Sequence, residues 1–313
     1  MVRLDERLAR GDIIIIDGGT GTELEARGVP MNRIAWCGAA NFDHDDVLRA
    51  VHEDYIRAGA DVIITNTFST ARHMLEPAGF GDRVVEANRS AVEIARQARD
   101  NAADRPVAIA GSISHFVAGA AHRDGREDSK WLRPETLKAT FTEQAETLAE
   151  AGCDLIALEM MMVPERAIHA IDAALATGLP VWIGVSCSRS KKDGRLISFD
   201  YEDQPFEPHL DALIERAAGR AQAVTVMHSL VDDTGPGLDA VKARWKGPLG
   251  AYPESGTFTM PNWHFVDVIS PADLVSAARG WIAKGVQIIG GCCGTGVPHI
   301  KRLKQDLPSR LPG

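Results

Sequence analysis

Eight short apolar runs, separated by stretches of helical periodicity, constrain this 313-residue chain more than any other feature. The runs occupy residues 13–16, 62–65, 107–111, 154–159, 181–186, 223–228, 248–252 and 286–290. Between them, residues 47–58, 83–98, 135–150, 165–176, 208–217 and 271–283 carry apolar side chains at the period of an amphipathic helix. Strand, helix, strand is the grammar of βαβ units. Strands apolar at every position are what a parallel sheet buried on both faces requires. Eight such units in a chain of this length predict an α/β fold, a single (β/α)8 barrel over residues 1–313, in preference to an open doubly wound sheet. Three polar stretches, 118–133, 188–204 and 253–264, are long for connecting loops and are expected to be excursions over one face of the barrel.

Charge narrows the partners. A formal net charge of -9 leaves no basic face to neutralise a phosphate backbone, so nucleic acid is not expected and small molecules are. The opening MVRLDERLARGD is charged and lacks the apolar core of a secretory signal, and no apolar run approaches the ~20 residues of a membrane span. A cytoplasmic location away from membranes is expected. Five cysteines, an odd number, fit a reducing compartment better than a disulfide framework. Nothing in the sequence sets the oligomeric state.

In a barrel of this kind, chemistry gathers at the carboxyl ends of the strands. The residues ending the apolar runs are polar: Asp17, residues 65–67, Ser112, Glu159, Cys187, His228, Glu254 and the pair Cys292 and Cys293. The pair stands in IIGGCCGT, where it can hold a metal, form a vicinal disulfide or pack as inert thiols. Adjacent Cα atoms lie ~3.8 Å apart, short of the ~4.4–6.8 Å that a disulfide spans, so a bridge between neighbours is strained. Strand geometry would send the two side chains to opposite faces, but the flanking glycines free the backbone to aim both at one point. Metal ligation therefore fits the motif best, with core packing the alternative. A catalytic zinc site needs a third protein ligand and one open position. His228 and Cys187, closing the sixth and fifth runs, are the candidates, although a lone histidine or cysteine there is otherwise ordinary core.

The glycines of DGGTGT lack both the lysine of a P-loop and the spacing of a dinucleotide fingerprint, so they read as a tight turn lining a pocket. Trp36 and Phe68 are candidates for aromatic walls around a cationic group, with core packing as the alternative.

The segments DGGTGTELEARG, HEDYIRAGADVIITNTF, AGCDLIALEM, YPESG and GGCCGTGVPHI, in this order, resemble the homocysteine S-methyltransferases. That family includes betaine-homocysteine methyltransferase, the S-methylmethionine-dependent enzymes and the amino-terminal module of cobalamin-dependent methionine synthase. The resemblance implies a (β/α)8 barrel, a Zn²⁺ cofactor, and transfer of a methyl group to the sulfur of homocysteine, giving methionine. It implies that Cys292 and Cys293 are two of three zinc ligands. The third family cysteine follows an asparagine, and this chain has Met227 and His228 there, so His228 is the expected metal ligand and Cys187 the runner-up. Asp17 and Glu159 match acidic positions that hold the amino acid substrate. A helix cap or Asx-turn is the alternative for Asp17, a surface carboxylate for Glu159. Thr67 matches a residue that bonds the substrate or holds its loop.

Two further departures touch the donor. Glu254 stands in YPESG where relatives carry asparagine, and is expected to favour a positively charged donor; GSISHFVAG replaces the family's GSIGPYG. A sulfonium such as S-methylmethionine, or betaine, is the expected donor; the cobalamin and folate modules that methyltetrahydrofolate works with are absent from this sequence. Three alternatives remain open at this level. One is a zinc hydrolase on the same barrel with Glu159 or Glu254 as base; the others are a different thiol acceptor and a zinc-storing relative without turnover.

Overall fold

The computed structural model describes residues 4–116, 130–259 and 262–312. All eight apolar runs form strands: β1 (Ile14–Ile15), β2 (Val62–Ile64), β3 (Ala108–Ser114), β4 (Leu155–Glu159), β5 (Val181–Val185), β6 (Ala223–Leu230), β7 (Leu249–Glu254) and β8 (Val286–Ile289). They pair in parallel in the order β1-β8-β7-β6-β5-β4-β3-β2. A parallel bridge between Ile16 and Val62 joins the two ends of that order. The Asp61 N–H donates to the Ile15 carbonyl at 2.6 Å and the Asp17 N–H to the Val62 carbonyl at 3.2 Å, so the sheet closes into a barrel.

Eight helices follow the strands in turn: α1 (Asp45–Ala58), α2 (Val84–Ala102), α3 (Pro134–Ala151), α4 (Pro164–Ala176), α5 (Phe206–Ala217), α6 (Val231–Arg244), α7 (Pro271–Ala283) and α8 (Val297–Asp306). Periodicity anticipates six of these regions. It misses α6 and α8, the former because Gly235, Pro236 and Gly237 read locally as a turn. Tertiary packing overrides that signal, since a β-carbon on Gly237 would fall 2.8 Å from Cys187 Sγ, and only a bare backbone lets α6 lie this close to the sheet.

Strand side chains divide with a period of two. Ile14, Ile16, Val62, Ala108, Ala110, Leu155, Ala157, Trp182, Ala223, Met227, Tyr252 and Ile288 fill the barrel interior. Their neighbours Ile15, Ile63, Ile109, Ile156, Leu158, Ile183, Val224, Val226 and Ile289 pack outward beneath the helices. Small residues sit where the interior is tightest. A β-carbon on Gly290 would lie 2.3 Å from Ile16 Cγ1 and 2.7 Å from the Asp17 carbonyl oxygen, and the latter is backbone that cannot step aside. Gly290→Ala is therefore expected to destabilise the barrel by about 3 kcal/mol, read as a lowered urea midpoint at unchanged slope. An unshifted midpoint would show that β1 and β8 are less tightly docked than this.

The helix Leu4–Ala9 lies against the amino ends of the strands, where Leu4 and Leu8 join the interior cluster and Gln287 Nε2 donates to the Leu8 carbonyl at 2.9 Å. The opposite end carries the excursions. Residues 188–204 contribute to an antiparallel hairpin of Cys187–Arg189 with Leu196–Ser198, and Thr257–Thr259 pairs with Asn262–Val266. Of the expected excursion 118–133, residues 130–133 are described, opening with the 3-10 turn Lys130–Leu132; the rest lies outside the described residues. Among the described residues no helix is long and apolar enough to cross a membrane.

Candidate metal centre

The turn after β8 brings the cysteine pair to the barrel mouth. Its backbone is fixed from two sides: the Gly291 N–H donates to the Asp17 carbonyl at 3.1 Å, and the Cys292 N–H to the Pro253 carbonyl at 2.9 Å. The pair has left strand geometry, so its thiols converge, with Cys292 Sγ 3.9 Å from Cys293 Sγ. His228 reaches them from β6, its Nδ1 3.5 Å from Cys292 Sγ. The ligand atoms of His228, Cys292 and Cys293 all lie within 4.8 Å of one another.

Alternation alone would put His228 outside. Ala223 and Met227 face the interior and Val224 and Val226 face the helices, so residue 228 continues the outward series. The register between β6 and β7 shifts between Met227 and Leu230, and His228 sits in the left-handed region at φ 43°. This bulge turns the imidazole back into the mouth. Of the six described non-glycine residues with positive φ, Trp36, Met160, Asp200 and His228 line one cavity, so backbone strain concentrates there.

The donor spacing suits a tetrahedral ion. Metal–sulfur bonds near 2.3 Å and metal–nitrogen bonds near 2.0–2.1 Å at tetrahedral angles place sulfurs about 3.8 Å apart and sulfur and nitrogen about 3.5 Å apart. The observed 3.9 and 3.5 Å match both. Cys187, the other candidate third ligand, is elsewhere: fully buried, its Sγ 3.7 Å from the Asp233 carbonyl, in the layer between β-sheet and helices.

Electrostatics within the cluster follow from burial and mutual contact. The Cys292 S–H donates toward Cys293, which with the nearby His228 ring holds the Cys293 thiol well below its usual range while Cys292 is pushed up. Burial works against a charged His228 ring, yet Cys293 and Glu254 outweigh it and raise the imidazole to about 9. Its Nε2 lies 3.3 Å from Glu254 Oε2. Burial raises Glu254 to about 7, against the opposing pull of His228.

The remaining expected residues surround this cluster unequally. Glu159, at the end of β4, lines the cavity and accepts the Ser112 hydroxyl proton; burial raises it to about 7. Asp17 is buried and does not line the cavity; its Oδ2 accepts from the Ile64 N–H at 2.7 Å, while Oδ1 has no partner among the described residues. Burial lifts its carboxyl well above the usual range. Thr67 does not face the cavity: its hydroxyl donates to the Ser112 carbonyl at 2.7 Å and it holds the loop after β2.

A cavity of about 440 Å³ opens over the cysteines. Trp36 and Phe68 stack at 5.3 Å in its wall and Phe116 joins Trp36 at 4.9 Å. Methionines 31, 160, 162 and 227 and residues Phe199, Tyr201 and Tyr252 add to the lining, together with Glu159, Asp200 and Glu254. No lysine or arginine lines it among the described residues. Sequence reasoning missed Phe116, although the departure GSISHFVAG flagged its loop, and missed Phe199, Asp200 and Tyr201, which the expected excursion 188–204 contained. It also left Cys37 without a role; the thiol lines the cavity and donates to Asn66 Oδ1 at 3.0 Å. Cys153 is packed in the core between the sheet and the helices.

The comparisons with known proteins bear on this geometry. Residues 14–307 match the homocysteine S-methyltransferase family. The chain belongs to that family. A homocysteine S-methyltransferase of Escherichia coli is 30% identical, with 95% of this chain and 96% of that protein covered. A selenocysteine methyltransferase of Astragalus bisulcatus is 29% identical over 96% and 94%. Among solved structures, the E. coli homocysteine methyltransferase MmuM in its metallated form superposes with a TM-score of 0.77 at 25% identity, covering 97% of this chain and 99% of that one. Membership of this family makes the chain an S-methyltransferase acting on small molecules, and removes hydrolysis as the reading of the His228, Cys292 and Cys293 cluster.

Proposed function

We propose that the chain moves a methyl group from a small onium donor, S-methylmethionine, betaine or a similar sulfonium, to the thiol of homocysteine, giving methionine, with zinc as its metal. The observation that carries this reading is the convergence of two thiols and one imidazole at tetrahedral spacing on the floor of an aromatic cavity that no lysine or arginine lines among the described residues. Cys292, Cys293 and His228 would hold the ion, and three protein donors leave one position for a substrate thiol. Bound there, zinc supplies a Lewis acid that keeps a thiol deprotonated at neutral pH, where a free thiol of pKa ~8.5 is mostly protonated.

The protein's own groups do the rest. Trp36, Phe68 and Phe116 offer ring faces to a cationic methyl donor, which aromatic quadrupoles attract. Asp200 and, in their ionised forms, Glu159 and Glu254 add negative charge with no lysine or arginine lining the cavity to offset it among the described residues, which favours an onium over an anionic folate. The Glu159 carboxylate lines the cavity and would accept hydrogen bonds from the acceptor's ammonium group, with Asp17, which is buried and does not itself line the cavity, as the second candidate. Sulfur then attacks the methyl carbon in line as the donor's bond to that carbon breaks, and the site contributes proximity and orientation without a general base.

A charge-assisted hydrogen bond of this kind is worth about 1.5–3 kcal/mol. Glu159→Gln is accordingly expected to raise the KM for homocysteine by roughly 10- to 100-fold with kcat little changed. Equal KM values for the two proteins would remove Glu159 from the substrate site. The overall reading is tested by metal analysis of the purified protein and by methyl transfer with homocysteine against S-methylmethionine, betaine and dimethylsulfonium donors. Selenocysteine belongs in the panel as a competing acceptor. Stoichiometric zinc and methionine production support it; absence of zinc, or transfer confined to another acceptor, overturns it.

A further inference from the structure

Two departures from the family pattern, histidine at 228 and glutamate at 254, stand in contact in the fold. His228 Nε2 lies 3.3 Å from Glu254 Oε2, while Nδ1 of the same ring lies 3.5 Å from Cys292 Sγ. The bulge in β6 that turns His228 inward also slips the register so that Leu230 stands opposite Glu254 on β7. One backbone irregularity thus sets the ring between the carboxylate and the cysteines.

We propose that Glu254 is a positioning residue for the metal centre, which accepts the Nε2 proton of His228 and so commits the Nδ1 lone pair to the metal. This rests on reading His228 as a zinc ligand. A neutral imidazole carries one proton, and whichever nitrogen holds it cannot bind a metal. A carboxylate on Nε2 selects the tautomer, locks the ring plane and strengthens Nδ1 as a donor. The pairing also answers the carboxylate's own needs: Glu254 is 9% exposed, and His228 is the only basic side chain lining the cavity among the described residues. Through the imidazole it returns part of the negative charge that a third thiolate would bring. That charge keeps the bound substrate sulfur nucleophilic.

The test uses the full-length protein loaded with zinc. Glu254→Ala is expected to weaken zinc 10- to 100-fold in chelator competition, and Glu254→Gln, which keeps an acceptor oxygen, by less. In a His228→Cys background, where the third donor has no tautomer to select, Glu254→Ala should leave zinc affinity within about twofold. Ring ¹⁵N shifts of His228 should show the Nε2–H tautomer in the wild type and a loss of that preference in Glu254→Ala. An Nδ1–H tautomer in the wild type, zinc affinity unmoved by Glu254→Ala, or equal loss in both backgrounds would overturn the pairing. A raised donor KM with unchanged zinc would instead assign Glu254 to the donor. Wild type that binds no zinc would overturn the metal reading itself, and the pairing with it.

Discussion

Cys292→Ala and Cys293→Ala will each give a folded protein that has lost its metal and, with it, methyl transfer by on the order of 10³-fold or more. The scale follows from the ligand set. Removing a residue that merely orients a ligand costs 10- to 100-fold, and removing a ligand from a three-donor site costs more, because the remaining two cannot hold the tetrahedral arrangement. Folding should survive. Both side chains are only partly buried at the mouth, outside the interior cluster that closes the barrel, and the turn is held by backbone hydrogen bonds from Gly291 and Cys292 that an alanine keeps. Metal content, circular dichroism and initial rates on the same preparation separate the outcomes. His228→Ala should behave alike and Cys187→Ala should retain full metal, since its thiol lies in the layer beneath α6. Stoichiometric zinc in Cys292→Ala, or zinc lost from Cys187→Ala, would refute the site.

Replacing the buried histidines will split them into two kinds. His52 in α1 is fully buried, neither ring nitrogen has a partner among the described residues, and burial alone lowers it to about 4. His115 after β3 is held to about 3, first by burial and then by Arg166, His209 and His73, but its Nε2 accepts the N–H groups of Met162 and Val163 at 2.6 and 3.0 Å. Both rings are neutral in the fold and charged in the unfolded chain below about pH 6.5. The unfolded state then binds the extra proton, so each contributes stability above pH 6.5 that is lost as pH falls toward the folded value, at ~1.4 kcal/mol per pH unit. Glu159 and Glu254, both raised to about 7, pull the other way between roughly pH 4.5 and 7, so the whole-protein profile is shallower than the histidines alone would make it.

Comparing variants isolates each ring. His52→Leu should be more stable than wild type by ~1–3 kcal/mol at pH 7.5, because an unsatisfied polar group leaves the core, and the gap should widen by about 2 kcal/mol on going to pH 5. His115→Leu should lose several kcal/mol at pH 7.5, since two buried N–H groups are stranded at about 1–3 kcal/mol each. Urea midpoints at the two pH values measure both. A gap for His52→Leu that does not change with pH would mean that the ring is charged or solvated in the fold.

The barrel itself was legible in the chain because its two periods are independent of context. Runs apolar at every position leave a strand no solvent face, and helical spacing between them leaves only the crossover that covers it. The gaps have local causes. The glycine and proline cluster in α6 reads as a turn until the proximity of Cys187 explains the missing side chains. Phe116 and Tyr201 carry no signal that separates a cavity wall from ordinary core, and Thr67 cannot be assigned to substrate or loop until its hydroxyl is seen bonded to the Ser112 carbonyl.

The site divides along the same line. By itself the sequence determined the eight strands, the convergence of Cys292 and Cys293 between glycines, and the acidic residues at the strand ends, because each depends on covalent geometry or on short-range pattern. The resemblance already put His228 ahead of Cys187 as the third ligand; only the tertiary structure shows how its side chain comes to meet the cysteines. Strand alternation points it outward, and a one-residue slip against β7 at a left-handed φ turns it inward. The same slip decided that Glu254 faces the imidazole. Register between neighbouring strands is a property of the closed sheet, set by packing on both sides of β6, and no run of residues read singly contains it.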